Sequence, residues 1–449
     1  MKIKFLGAAG TVTGSSYILT SDSGRSILID LGMFQGPPEI EKLNYLPYDF
    51  NCALLDDAIL THAHLDHCGR LPILLPRGYK GKIWMTPPTR DMTELSLLDS
   101  AKIAVQDKKK VLYDRDLAYK TIDRFKTVAY HEPFPAGDFR VTMHDAGHIL
   151  GSAFLQIEDM RCSSEIRTIV FSGDLGNYPE SLVNSTEFIS NADAVVMEST
   201  YGDRLHPEED ASLMMQQEIN AVEASGGTLL IPTFALERTQ EILHLIMHLK
   251  KDGKIRKQTP IILDSPMADR ATQIYLDYPE LFNTHIQEDL KQGGMFNVSG
   301  LEIITKRSQS HGLSFRDEAK VILAGSGMMS GGRIVGHTAQ YLTHAKNRLF
   351  IVGYQGEGTL GRQLMEGQRE VIIDGKKIIV RGSVTTTHAM SSHADQDQLL
   401  GWLKNITGVK KLILTHGEDI SREALSARVT QELGIHDIRL PHLNEEILL

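Results

Sequence analysis

The sequence predicts an α/β protein built from two modules, one carried inside the other. Three observations predict it. From about residue 203 the chain repeats strand, loop and helix, the rhythm of a parallel sheet flanked by helices. The charge is uneven: the 449 residues carry a net −10, yet residues 203–383 hold 21 basic and 22 acidic side chains, so nearly all the excess lies elsewhere. No Pro/Gly/Ser-rich linker separates the blocks, which favours an insertion over modules in series.

Apolar residues make up 41% and charged residues 23%, enough for a large core and against disorder as the main state. No apolar run reaches the ~18–20 residues that span a bilayer. Met1-Lys2-Ile3-Lys4 opens only a short apolar stretch, which is not the pattern of a secretory leader. Cys52, Cys68 and Cys162 make neither a C-x-x-C nor a disulfide framework, so a reducing, cytoplasmic setting is expected. The acidic balance argues against a general nucleic-acid coat protein, although the near-neutral middle weakens that exclusion.

Taken in order, Ile3–Leu6, Tyr17–Thr20 and Ser26–Ile29 read as short strands, the last two joined as a hairpin through Asp22-Ser23-Gly24. Asp57–Leu60, Thr168–Phe171 and Ala194–Met197 are further strand candidates. Leu229–Pro232 then precedes the helical run Glu237–Lys250, and Pro260–Leu263 precedes Ala268–Tyr278. Val321–Ala324 precedes Gly332–Thr343, and Leu349–Val352 precedes another short helix. A strand at Lys411–Leu414 and an amphipathic helix near Ser421–Leu433 follow. Lys250-Lys251, with Lys257, is expected to sit solvated at a helix C-terminus, where cations oppose the helix dipole.

Thr61-His62-Ala63-His64-Leu65-Asp66-His67 is the most informative stretch. Four donors fall within six residues, on a loop after a strand, where such side chains can aim at two points close together. Imidazole suits zinc, and carboxylate can bridge or complete a second site. The plain alternative is a polar surface loop, but H-x-H-x-D-H rarely arises by chance. His148, in Asp145-Ala146-Gly147-His148, has small neighbours that would let it approach a metal. Asp174, in Phe171-Ser172-Gly173-Asp174, follows an apolar strand. Either residue alone would more often be a cap or a satisfied polar group. Asp30, ending Ile27-Leu28-Ile29-Asp30, is placed to orient an imidazole from behind. Cys68 adjoins the loop, but the donor set does not need a thiolate.

In number, order and spacing, Asp30, the H-x-H-x-D-H loop, His148 and Asp174 resemble the metallo-β-lactamase superfamily. The resemblance implies an αββα sandwich with two metal ions, usually zinc, at one edge. It implies that His62, His64 and His148 hold the first ion, that Asp66 and His67 hold the second, and that Asp174 bridges them. Superfamily membership alone sets no substrate.

Three more motifs narrow the reading: Met197-Glu198-Ser199-Thr200-Tyr201-Gly202, Ser391-Ser392-His393-Ala394-Asp395 and Leu414-Thr415-His416-Gly417-Glu418. They resemble motifs A, B and C of the β-CASP nucleases, with Glu198, His393 and His416 at the defining positions. That group includes the endonuclease subunit of the cleavage and polyadenylation complex and its bacterial and archaeal relatives. Asp264-Ser265-Pro266-Met267-Ala268, Gly325-Ser326-Gly327-Met328-Met329 and Gly361-Arg362-Gln363-Leu364 also look like that group. The implied architecture is a metallo-β-lactamase domain at 1–202, a β-CASP insert at 203–383, and the first domain resumed at 384–449. Histidine at motif C resembles the RNA-directed members and implies that His416 ligates the second metal.

The resemblance therefore implies a ribonuclease that uses two Zn2+ ions and a metal-activated hydroxide. It would cut single-stranded RNA, endonucleolytically, to leave 5′-phosphate and 3′-hydroxyl ends. His393 is the candidate general acid, Glu198 its orienting partner, and Asp66 a catalytic ligand. Ser326 and Gly327 are candidates for an anion nest at a helix start. Arg333, Arg362, Arg238 and Arg270 are candidate phosphate contacts, each with a structural salt bridge as the plainer reading. Relatives that dimerise make a homodimer an expectation. The rival readings are an exoribonuclease, a small-molecule metallo-hydrolase and a non-catalytic RNA-binding scaffold. His244 and His248 have the i, i+4 spacing of a helix-borne metal pair, but apolar neighbours and the lack of a nearby carboxylate favour an ordinary helix face.

Overall fold

The strand Ser26–Ile29 buries Ile27, Leu28 and Ile29 alike. Successive side chains of a strand point to opposite faces, so such a strand needs apolar cover on both. The structure is a computed structural model describing residues 1–47, 50–106, 110–161, 165–178, 182–356 and 358–449. Cys162 lies outside the described residues, and Cys52 and Cys68 are buried free thiols.

The described chain forms two compact units: Met1–Leu205 with Ser392–Leu449, and His206–Ser391. The first is a four-layer sandwich of two seven-stranded sheets with helices outside. One sheet runs Glu446–Leu448, Lys2–Phe5, Tyr17–Thr20, Ser26–Ile29, Leu55–Ile59, Ile83–Met85, Phe125–Thr127. The other runs Ile438–Arg439, Lys411–Leu414, Ala194–Met197, Thr168–Phe171, Ala153–Asp159, Phe139–Asp145, Phe134–Ala136. Ile27 and Ile29 pack with Leu155, Ile169 and Val196 of the facing sheet, while Leu28 turns outward with Leu71, Leu74 and Leu97. Val170 and Val195 of the second sheet turn outward with Leu399, Leu403 and Leu425, from the helices Gln396–Lys404 and Asp419–Leu433. Alternation within the apolar strands of the two sheets thus creates three of the molecule's cores.

The second unit repeats the logic around one sheet. Its six strands run Leu301–Ile303, Ile261–Asp264, Lys320–Ala324, Thr228–Pro232, Arg348–Ile351, Ser383–Thr386, each neighbouring pair parallel. Leu229, Ile231, Ile261 and Leu323 face one core; Leu230, Ile262, Ile322 and Ala324 face the other. The helices expected after the first three strands lie at Arg238–Lys251, Pro266–Leu276 and Arg333–Tyr341.

Two expectations are corrected. The first domain does not resume at residue 384, because Ser383–Thr386 pairs in parallel with Arg348–Ile351 and stays with the second unit. Lys250 is not solvated: it is buried, and its Nζ donates to the carbonyls of Thr259 at 2.6 Å and Lys257 at 3.2 Å. Burial holds its pKa down at about 8.

Phe5 is fully buried between the two large sheets, so Phe5→Ala is expected to cost roughly 3–5 kcal/mol through the cavity it leaves. Both tryptophans, Trp84 and Trp402, belong to this unit, so urea unfolding followed by tryptophan fluorescence measures the loss.

Candidate metal centre

Six strands of the first unit deliver side chains to one edge. Asp30 follows Ser26–Ile29, the H-x-H-x-D-H loop follows Leu55–Ile59, and His148 follows Phe139–Asp145. Asp174, Glu198 and His416 follow Thr168–Phe171, Ala194–Met197 and Lys411–Leu414, three neighbouring strands in parallel register. Parallel neighbours end together, which is why residues hundreds of positions apart converge.

The metal loop is held by its backbone. Leu31, Met33 and Ser15 donate their N–H groups to the carbonyls of His67, Leu65 and Asp66 at 2.8, 2.7 and 2.9 Å. Gly32 lies between the first two donors, and a Cβ there would stand 1.5 Å from the Asp66 carbonyl oxygen, so only glycine permits the approach. Asp30 and His416 take positive φ, 54° and 49°, in the left-handed region that costs a non-glycine residue energy and clusters at functional sites.

Seven donors make two groups around one shared oxygen. In the first, His64 Nδ1 lies 3.1 Å from His62 Nε2 and 3.2 Å from His148 Nε2. In the second, His67 Nε2 lies 3.3 Å from His416 Nε2, which is 3.6 Å from Asp66 Oδ2. Asp174 Oδ2 stands 3.5 Å from His62, 3.7 Å from His148 and 3.3 Å from His67. Asp174 Oδ1 is buried without a hydrogen-bond partner.

A further layer of contacts orients the rings. His67 Nδ1–H donates to Asp30 Oδ2 at 2.8 Å, leaving Nε2 for the cluster. Thr61 anchors Asp30 in turn, with N–H to Oδ1 and Oγ1–H to Oδ2, both at 2.8 Å. His148 Nδ1–H donates to the Ser392 carbonyl at 2.9 Å, and His416 Nδ1 lies 3.1 Å from Thr200 Oγ1. Thr61 and Thr200 stand inside the motifs singled out above, but their role depends on contacts across the sheet that spacing does not reveal. Cys68 is turned to the Ala63 carbonyl, 3.4 Å from Sγ.

The electrostatics follow from burial. Desolvation pushes His62 and His148 well below the usual imidazole range and His64 down to about 4. These rings are therefore neutral, the form that binds metal. His67 moves well up: burial opposes the charge, but the Asp174 and Asp30 carboxylates outweigh it. Asp66 is held near 2 against burial by a hydrogen bond from His416 and by the surrounding imidazoles.

Beside the donors, His393 is 22% exposed at its side chain and lies against Glu198, which is fully buried. Its Nδ1 is 3.2 Å from Glu198 Oε2, and Glu198 Oε1 also accepts the Leu175 N–H at 2.6 Å. The His393 ring stands 4.5 Å from that of His148 and 6.0 Å from that of His416, so it borders both donor groups.

The phosphate candidates lie in the other unit, and their surroundings correct one of them. Arg333 is bound to Asp264 and donates to the Ile304 and Thr305 carbonyls at 3.0 and 2.8 Å, so its guanidinium is committed to the fold. Gly327 has a packing reason as well: a Cβ there would stand 2.5 Å from the Phe234 ring. Arg362 pairs with Glu366, Arg238 pairs with Glu241 in a buried position, and Arg270 is exposed. Ser326 Oγ lies 3.3 Å from the Gly331 carbonyl oxygen.

A two-sheet sandwich with helices outside, carrying histidines and carboxylates at its strand ends, defines a metal-dependent hydrolase. Residues 9–218 match the Metallo-beta-lactamase superfamily, 239–364 the Beta-Casp domain, and 377–441 the Zn-dependent metallo-hydrolase RNA specificity domain. "Ribonuclease TTHA0252" of Thermus thermophilus is 37% identical over 421 residues, 93% of this chain and 94% of that protein. "Transcription termination factor FttA" of Methanosarcina mazei is 30% identical, over 100% of this chain and 72% of its own length. "RNase aCSPSF2" of Saccharolobus solfataricus is 30% identical, over 100% and 85%. The chain belongs to the β-CASP group of the metallo-β-lactamase superfamily. A crystal structure of a protein of unknown function from Enterococcus faecalis V583 shares the fold, with a TM-score of 0.55 at 12% identity over 100% of this chain and 99% of that one.

Asp30→Ala is expected to lower zinc affinity about 10- to 100-fold, because His67 loses its orienting carboxylate. Competition with a chromophoric chelator reads this directly, and an unchanged affinity would remove Asp30 from the site.

Proposed function

We propose that this chain is a zinc-dependent ribonuclease that hydrolyses single-stranded RNA at internal phosphodiester bonds. The observation that carries the proposal is the pair of donor groups sharing Asp174 Oδ2, bordered by a histidine held on a buried glutamate. In this reading His62, His64 and His148 hold one Zn2+, Asp66, His67 and His416 hold a second, and Asp174 joins them. The donor chemistry fits: His62, His64 and His148 are held in the neutral form that ligates zinc, His64 Nδ1 faces both His62 Nε2 and His148 Nε2 with at most one proton to share between them, and Asp174 Oδ1 accepts no hydrogen bond. When bound, the ions supply Lewis acidity to phosphoryl oxygens and to water.

The chain's own residues supply the proton. Water adds to phosphorus as the P–O3′ bond breaks and gives up a proton to solvent, the departing 3′-oxygen takes a proton from His393, and His393 is reprotonated from solvent. The products are a 5′-phosphate and a 3′-hydroxyl. Nδ1–H of His393 is directed at Glu198, which leaves Nε2 to carry the transferred proton. Burial disfavours the imidazolium, but the Glu198 charge and hydrogen bond outweigh it and raise His393 to about 9. The acid form is therefore present at neutral pH and lost as pH rises through that range. The RNA-specificity match at 377–441 and the ribonuclease relatives support RNA as the substrate. No described helix is long and apolar enough to cross a membrane. The proposal includes a cytoplasmic location and a homodimer, which light scattering tests.

Zinc-loaded protein is to be incubated with a circular single-stranded RNA beside its linear 5′-monophosphate form. Opening of the circle is expected. An intact circle with a shortened linear strand would replace endonucleolytic with exonucleolytic action, and survival of both would sink the ribonuclease reading. His393→Ala should lower kcat by roughly 10²–10⁴ with zinc content unchanged; a loss of zinc instead would make His393 a ligand. Glu198→Gln should shift the alkaline limb of the pH–rate profile to lower pH, since the carboxylate charge that raises His393 is gone.

A further inference from the structure

The helix Arg238–Lys251 buries Ile242, Leu243, Ile246 and Leu249 and carries His244 and His248 one turn apart on a single face. Sequence alone argued for an ordinary helix face, because it identified no carboxylate ligand beside the pair. The structure supplies one from 41 residues beyond His248. Asp289, in the last turn of Thr284–Lys291, places Oδ2 3.0 Å from His244 Nε2 and 2.8 Å from His248 Nε2. The two Nε2 atoms are themselves 3.0 Å apart.

Protons satisfy that triangle only in part. If both rings carry N–H at Nε2, both can donate to Asp289 Oδ2, but the two hydrogens then crowd each other across the 3.0 Å N···N gap. If one does, the lone pair of the other ring faces the carboxylate. If neither does, all three contacts are lone pair against lone pair. A dication about 2.0–2.2 Å from each atom turns all three contacts attractive, and tetrahedral zinc separates its donors by about 3.3 Å, within a small side-chain rotation of what is seen.

We propose that His244, His248 and Asp289 form a zinc site that clips the helix Thr284–Lys291 to Arg238–Lys251. Four further facts agree. Asp289 sits near a helix C-terminus, where a negative charge opposes the helix dipole and a bound cation relieves it. Burial, with the neighbouring His248, holds His244 below its ordinary pKa in the neutral, ligating form. The helix Thr284–Lys291 buries Ile286 alone, so packing by itself holds it weakly and a metal clip has a physical purpose. His248 is 36% exposed at its side chain, which leaves room for water as a fourth ligand.

The test compares zinc per chain in the full-length wild type, His248→Ala and Asp289→Asn, each equilibrated at the same buffered micromolar free Zn2+. The variants are expected to hold one equivalent less, to lose part of the zinc-induced rise in Tm, and to keep RNA hydrolysis. Equal zinc content in all three proteins would overturn the proposal. His248 is partly exposed and Asp289→Asn keeps the side-chain shape, so at least one folded variant is expected; Co2+ titration of the wild type gives a second readout. Its visible d–d bands should report one more four-coordinate ion than in Asp289→Asn, and identical spectra would also overturn the proposal. Because each readout is a difference from wild type, it stands apart from how many ions the catalytic centre holds.

Discussion

Asp174 Oδ2 is the constraint on which the rest of the site depends. A carboxylate that is 2% exposed costs several kcal/mol to bury unless opposite charge surrounds it. Its neighbours within 3.7 Å are imidazole nitrogens, those of His62, His67 and His148 beside Oδ2 and that of His416 beside Oδ1. Burial keeps His62 and His148 neutral, so they cannot supply that charge as imidazolium ions. His67 is the one of the three beside Oδ2 raised toward protonation, and its proton is already directed at Asp30 through Nδ1. A single shared imidazolium leaves Asp174 Oδ1 without a hydrogen bond, a deficit that a metal cation held by these residues would offset. Electrostatics, as much as any motif, supports a cation at this cluster.

The fold meets that constraint with backbone geometry. Three parallel strands in register bring Asp174, Glu198 and His416 to the same level of the sheet. The facing sheet brings the H-x-H-x-D-H loop, clamped by amides on both sides of Gly32. Where strand direction alone does not aim a side chain, the backbone is bent: Asp30 and His416 both hold left-handed φ, at a cost of order 1–3 kcal/mol each. His416 is held there by its N–H to the Ala8 carbonyl at 2.7 Å, and Asp30 by its N–H to the Ile59 carbonyl at 2.9 Å. The strain is thus sustained by the core beneath.

Much of this was legible in the sequence because the donors lie directly after apolar strands. Ile27-Leu28-Ile29-Asp30 and Ala194–Met197 before Glu198 announce a buried strand and then a group that needs a reason to be there. What was not legible was long-range pairing. Arg333 has a salt bridge as its plainer reading, but the sequence does not name the partner, Asp264, 69 residues away. His244 and His248 read as a helix face until Asp289 arrives from another helix. Lys250 reads as solvated until three loop carbonyls close over it. The second domain join was misplaced for a related reason: Ser383–Thr386 is short, polar and half-buried, so its pattern does not reveal that it is an edge strand of the other sheet.

The same long-range logic explains why Glu198 must be fully buried. His393 borders both donor groups, so any dication there drives its proton off, and burial acts in the same direction. A general acid must nevertheless keep that proton until the leaving oxygen needs it. An exposed glutamate would be screened by water and would contribute little. Enclosed at the end of Ala194–Met197, with the Leu175 N–H on Oε1 and the Thr200 N–H 3.4 Å from Oε2, Glu198 acts at low dielectric on the ring proposed as the acid. In the proposed mechanism His393 would stand between two opposed fields, bound cations on one side and a buried carboxylate on the other, and would give up its proton when a developing alkoxide tips that balance.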